Sequence, residues 1–191
     1  MDKTELGANS FLYPMPVTLL GTVLQGRVNF MTLGWVTRVN ASPPMLAVAV
    51  SKSHATPEGI REQGTFSVNI PHTGMKEKVD YCGLVSGLST DKSDIFEIFY
   101  GKTGTAPMIA ECPLCIECRL SGTVDLPTNT LFIGNIVESF SEERYLTGGH
   151  PDIKKINPLL LTMPDNSFWS VGERTGTAWA DGKNYRTRGG G

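Results

Sequence analysis

The run Ser51-Lys-Ser-His-Ala-Thr-Pro-Glu-Gly-Ile60 holds the densest group of chemically able side chains in this 191-residue sequence. Thr56 ahead of Pro57 reads as an N-cap followed by proline at the first helical position, and Gly64 supplies a stop one short helix later. The helix start would bring unpaired amides and the positive end of the helix dipole to the same point as the Ser51 and Ser53 hydroxyls and the Lys52 ammonium. Such a set of donors binds phosphate, so the stretch suits a phosphorylated cofactor. His54 lies inside it, where an imidazolium could assist an anion or a plain hydrogen bond could hold the ring. An ordinary capped helix after a strand would carry the same residues, and the local sequence leaves both readings open.

The neighbouring strand-like stretch Asn29-Phe-Met-Thr-Leu-Gly-Trp-Val36 sets Asn29, Thr32 and Trp35 beside apolar residues. A cofactor slot needs this mixture, a few oriented polar groups within apolar walls. Asn69 closes the period-two run Thr65-Phe-Ser-Val-Asn-Ile70 and is expected to face a ligand at the strand's end. Other chemistries find little support. There are three histidines, no Gly-x-Ser-x-Gly elbow and no His-Glu-x-x-His pair, so hydrolysis has no visible machinery. His72 and His150 sit among turn residues and read as solvated. The Gly-Lys-Thr at 101–103 lacks the upstream glycine of a phosphate loop, position 96 being Phe, and reads as a turn.

Cys112-x-x-Cys115-x-x-Cys118 has spacing seen in zinc and iron–sulfur sites, which keeps an iron–sulfur protein as a remote alternative. Pro113 interrupts the motif, however, and Leu114 to Leu120 looks like a half-buried strand, in which residues three apart point to opposite faces. Small buried thiols in a reducing compartment fit better.

The elements that must position these groups are mostly strands. Val17 to Val23, Val28 to Val39, Met45 to Val50 and Thr65 to Ile70 alternate with turn residues and suggest an antiparallel meander. Short helices are expected over the capped segment, over Met75 to Gly83 and over Asp91 to Ile98, with a helical turn at Glu142 to Leu146. Strands near Cys115–Val124 and Thr130–Phe140 flank a hairpin loop, and Pro158–Thr162 and Phe168–Val171 end the pattern. Repeated short strands with few helices predict a mainly β, closed or nearly closed barrel. One domain spans 1–191, with a core of about 10–175 and a loose tail at 187–191. With 40% hydrophobic and 19% charged residues and a net charge of −2, there is no basic stripe for nucleic acid and no run long enough to span a membrane. The amino terminus shows no basic segment leading into an apolar core, and the expected compartment is the cytoplasm.

Taken together, the Asn29–Trp35 and Ser51–Thr56 stretches, Phe66-Ser-Val-Asn69, Asp80-Tyr-Cys-Gly83, Ser86-Gly87 and Asp91-Lys92 resemble the flavin reductase-like family and, within it, the flavoredoxins. The resemblance covers roughly residues 10 to 175. It implies an antiparallel, Greek-key-like FMN-binding split β-barrel that forms a homodimer. It places Asn29, Thr32 and Trp35 beside the flavin ring and ribityl chain, and Ser51, Lys52, Ser53, His54 and Thr56 at the phosphate. Lys92 would reach flavin or phosphate, and Phe168, or else Trp169, would flank the ring. Relatives often carry an acidic-His pair where this chain has Thr128-Asn129, so a histidine contact there is not expected. The implied function is an FMN-dependent oxidoreductase in which flavin N5 accepts hydride or electrons and passes them on. NADH or NADPH, or a reduced protein, would act as a transient donor, since no Gly-x-Gly-x-x-Gly follows a strand. A non-enzymatic flavin carrier or electron shuttle is the alternative. No side chain is expected to act as a catalytic acid or base, because the flavin carries the chemistry.

Overall fold

The computed structural model describes residues 1–185, and the expected loose tail at 187–191 lies outside them. Seven long strands form one antiparallel sheet: β1 (Thr18–Leu24), β2 (Arg27–Leu33), β3 (Val36–Asn40), β4 (Met45–Ser51), β5 (Thr65–Ile70), β6 (Leu114–Asp125) and β7 (Asn129–Phe140). Their spatial order is β2-β1-β5-β6-β7-β4-β3. The expected strand from Val28 to Val39 is broken at Gly34-Trp35, and its halves become the two opposite edges of the sheet. Two linking residues span only about 7 Å, so the sheet must curl until its edges nearly meet, although β2 and β3 do not pair. This curled sheet with unpaired edges is a split barrel, and the edge-to-edge step replaces the simple meander expected from strand order.

Side-chain alternation builds two cores from the one sheet. Leu20, Met31, Val48, Phe66, Val68, Cys118 and Phe132 gather in one cluster with Ile60 from helix α1 (Thr56–Gln63). Leu19, Phe30 and Cys115 belong to the other, which is covered by α2 (Lys76–Leu84) and by Phe96, Met108 and Ile109 from the following insert. Cys115 and Cys118 thus lie on opposite faces of β6, as strand alternation requires. Close approach of α1 to β1 depends on Gly59, where a Cβ would stand 2.6 Å from the Val23 carbonyl oxygen.

Several boundaries differ from expectation for local physical reasons. Helix α1 begins at Thr56 itself, with Ala55 before it and no side-chain cap, while Gly64 ends it in the left-handed conformation at φ 65°. Helix α2 runs through Gly83 to Leu84. No helix forms over Asp91 to Ile98. The Asp91 carboxylate instead accepts from the Ser93 amide at 2.9 Å and its hydroxyl at 2.7 Å, a local turn that competes with helix. The Gly101–Thr103 turn wraps the buried Glu117 carboxylate, which accepts from the Lys102 and Thr103 amides at 2.9 and 2.8 Å. His72 is half-buried rather than solvated, its Nδ1 accepting from the Gly74 amide at 3.0 Å. The short strands Leu160–Thr162 and Ser167–Trp169 pair with each other, and the first also pairs with Met15–Pro16. No helix among the described residues is long and apolar enough to cross a membrane.

Candidate functional site

The start of α1, the adjoining face of β2 and the end of α2 enclose a cavity of about 210 Å³. Asn29, Thr32, Ser53, His54, Thr56 and Lys92 all line it, from three separate segments of the chain. A second compartment of about 230 Å³ shares Met31, Thr32 and His54 with the first and adds Trp35, Ser51 and Asn129. The two form one slot, polar and deep at the α2 end and shallower toward Trp35, whose side chain is 49% exposed.

The deep end carries unmet hydrogen-bonding capacity. Asn29 is 4% exposed, and its Nδ2 donates to Thr56 Oγ1 at 3.1 Å, while its Oδ1 is buried without a donor. Thr56 is thus an acceptor that orients Asn29, and as the first residue of α1 it lies past the N-cap position, which Ala55 occupies. Lys92 is 2% exposed, and its Nζ donates to the Phe30 and Cys82 carbonyls at 2.9 and 3.0 Å. An ammonium has three hydrogens, so one remains for the cavity. None of the carboxylates among the described residues pairs with Lys92. Burial accordingly holds its pKa below the usual lysine range, the Cys82 thiol opposing this weakly, and burial raises Cys82 in turn. Buried polar atoms are almost always satisfied. A cavity lined by an amide with an orphaned acceptor and by an ammonium without a carboxylate partner suits a ligand that both donates and carries electron-rich oxygen or nitrogen.

On the side of the slot that leads into α1, Ser51 lines the Trp35 compartment and Ser53 the deep cavity, and Ser51 Oγ lies 2.9 Å from Ser53 Oγ and accepts from the Ser53 amide at 3.3 Å. The two hydroxyls stand at the positive end of α1, a donor-rich environment for an anion. Lys52 is not gathered with them. Its Nζ lies 3.7 Å from Asp125, which also takes Arg61 at 3.7 Å. Asn69 is likewise absent from the slot: it is fully buried, donating to the Leu19 carbonyl and Ser67 Oγ at 2.9 Å and accepting from the Ile109 amide at 3.1 Å. With every polar atom engaged, it cross-links β1, β5 and the insert. Phe168 packs against the core cluster beneath α2, and Trp169 Nε1 donates to Thr162 at 2.8 Å, so neither ring lines the slot.

Sequence reasoning missed the α2 side as a wall. Cys82, Gly83, Leu84, Ser86 and Gly87 line the cavity, and a Cβ on Gly87 would sit 2.1 Å from Asn29 Oδ1. The signal available was the pair Gly83 and Ser86-Gly87 immediately before Lys92.

The fold is a split barrel in which a sheet edge, a helix start and a helical insert converge on one slot. Residues 10–154 match the flavin reductase like domain, and the chain belongs to that family. Its structure is similar to that of flavoredoxin from Methanosarcina acetivorans, at 60% identity, covering 96% of this chain and 98% of that one with a TM-score of 0.94. Flavoredoxin of Desulfovibrio vulgaris (Miyazaki F) is 33% identical, covering 95% and 100% of the two chains with a TM-score of 0.89. An FMN-binding protein from Thermus thermophilus, solved with bound 1-cyclohex-2-enone, is 26% identical, covering 93% and 97% with a TM-score of 0.79. The family supports a flavin-related redox function.

Proposed function

We propose that this protein binds FMN and works as an FMN-dependent oxidoreductase, receiving electrons transiently from NADH, NADPH or a reduced protein. The observation that carries the reading is one cavity lined both by Asn29, whose Oδ1 has no donor, and by Lys92, whose ammonium has a hydrogen beyond its two carbonyl bonds. A phosphate offers no hydrogen to Asn29 at neutral pH, whereas the imide N–H of a flavin does, with acceptor atoms next to it for Lys92. The ring's polar edge therefore suits the deep end, and Thr32, Met31 and Trp35 supply the wall. Ser51, Ser53, His54 and the start of α1 suit the phosphate. Bound FMN would supply reversible hydride and electron acceptance, which asks no proton transfer of the side chains. What this chain contributes is orientation, an ammonium that favours electron-rich states of the ring edge, and a partly dry slot.

Trp35 lies half-exposed at the shallow end, and a second copy of the chain is the proposed cover, forming a homodimer. The likeness to flavoredoxins supports a second reading, in which the protein is a carrier or shuttle without direct use of nicotinamide. Anaerobic bleaching of the FMN-loaded protein separates the two. Fast bleaching by NADH or NADPH is expected, bleaching only by a reduced protein would establish the shuttle, and failure to retain or titrate with FMN would overturn the flavin reading itself.

A further inference from the structure

Beyond Trp35 the slot continues into a third cavity of about 470 Å³, larger than either compartment described above. Gly34, Trp35 and Ala49 line both this cavity and the shallow compartment, so Trp35 stands as the partition between them. Its chemistry differs from the deep end. No Asp, Glu, Lys, Arg or His lines it, and the walls are built from Phe11, Leu12, Met15, Val36, Ala47 and Leu131 with Ser10 and Thr37 as the polar side chains. The Trp35 carbonyl accepts from the Ala49 amide at 2.9 Å, which fixes the partition's backbone to β4.

We infer that this cavity is a binding site for a neutral, largely apolar ring compound of the quinone class, and that it forms the substrate side of the redox site. The inference rests on the flavin reading only for the second clause. An apolar concavity of this size with hydroxyls as its polar side chains matches a ligand that is mostly hydrocarbon with one or two carbonyl acceptors. A dinucleotide, an FAD pyrophosphate or a metal chelate would bring charge to a surface that has no cation to meet it, and desolvating such groups without partners is costly. Nicotinamide donors therefore do not belong in this cavity.

The test uses the full-length protein, with and without FMN, and duroquinone, a neutral quinone with no free ring position for thiol addition. Equilibrium dialysis should show saturable one-to-one binding, and saturation-transfer NMR should place the quinone against the protein. Ala47→Leu fills the cavity floor without touching the other two compartments and should weaken duroquinone at least tenfold while FMN titrates as in wild type. Thr37→Lys, on the exposed strand β3, introduces a charge without repacking and should also weaken it. Anthraquinone-2-sulfonate, a charged ring, should bind the wild type more weakly than duroquinone. No saturable binding, binding unchanged by both variants, or equal binding of the sulfonate would overturn the inference. So would a groove closed by self-association, seen as a dimer that excludes duroquinone and dissociates in the Thr37→Lys variant. If FMN binds and duroquinone does not, this inference falls alone; if duroquinone binds and FMN does not, the flavin reading falls and the cavity stands.

Discussion

Lys92→Met gives the sharpest test of how the slot holds its ligand. The substitution keeps an unbranched apolar stem and removes an ammonium that is 2% exposed and has no carboxylate partner among the described residues. Two effects oppose each other in the unliganded protein. The hydrogen bonds to Phe30 and Cys82 are lost, each about 1.5–3 kcal/mol as charge-assisted bonds. Relief from desolvating an uncompensated charge returns several kcal/mol. Unfolding free energy without ligand should therefore change by less than about 2 kcal/mol, measured by urea titration. Flavin binding has no such compensation and should weaken by about 1.5–3 kcal/mol, or about 10- to 150-fold. Because the ammonium faces the ring edge in this reading, FMN and riboflavin should weaken by the same factor. pH gives an independent check. Burial holds the Lys92 pKa below its ordinary value, so between the two values the unfolded chain binds the extra proton and the unliganded wild type gains stability as pH rises. Flavin affinity runs the other way, falling as pH rises through the depressed pKa, and it should be flat over that window in Lys92→Met. Fluorescence titration of both flavins decides the matter. Loss of FMN binding with riboflavin untouched would put the phosphate at Lys92, and unchanged affinity for both would refute the ligand role altogether.

Further outcomes follow from the same geometry. Gly87→Ala should displace Asn29, whose Oδ1 would lie 2.1 Å from the new Cβ, and weaken both flavins at least about tenfold with the far-UV spectrum retained. Ser51→Ala with Ser53→Ala should weaken FMN by roughly 1–3 kcal/mol and leave riboflavin nearly unchanged, whereas Lys52→Ala should change neither by more than about 1 kcal/mol, since Asp125 already engages that ammonium. The thiols of Cys115 and Cys118, pushed up by burial to about 12, should resist a disulfide reagent at pH 8 in the folded protein and react on unfolding. Rapid reaction of either in the native state would contradict their burial.

Much of the fold was written in the sequence because strand periodicity and turn residues are local. The pattern Thr65–Ile70, the Asp125–Asn129 hairpin and the left-handed stop at Gly64 read directly from neighbours a few positions apart. Cys115 and Cys118 fell on opposite faces for the same reason. Of the proposed site, Asn29, Thr32, Trp35, Ser51, Ser53, His54, Thr56 and Lys92 were named from residue chemistry and motif order, and the structure brings them to one slot.

What each polar group does there was decided only by tertiary structure. Asn69 sits on a buried strand with the same local pattern as a ligand-facing residue, yet contacts from Leu19 and Ile109, 50 and 40 residues away, consume its donors and acceptor. Thr56 looks like a cap in sequence and becomes the anchor of Asn29, 27 positions earlier. Lys52 is drawn to a hairpin aspartate, and Phe168 joins the core, choices set by what the folded sheet places beside them. Local sequence fixes backbone conformation through short-range sterics and hydrogen bonds, but the partner of a side chain depends on which distant strand arrives next to it. The unmatched pair Asn29 and Lys92 arises in this way, from the packing of β2 against the insert after α2, and no spacing along the chain encodes it.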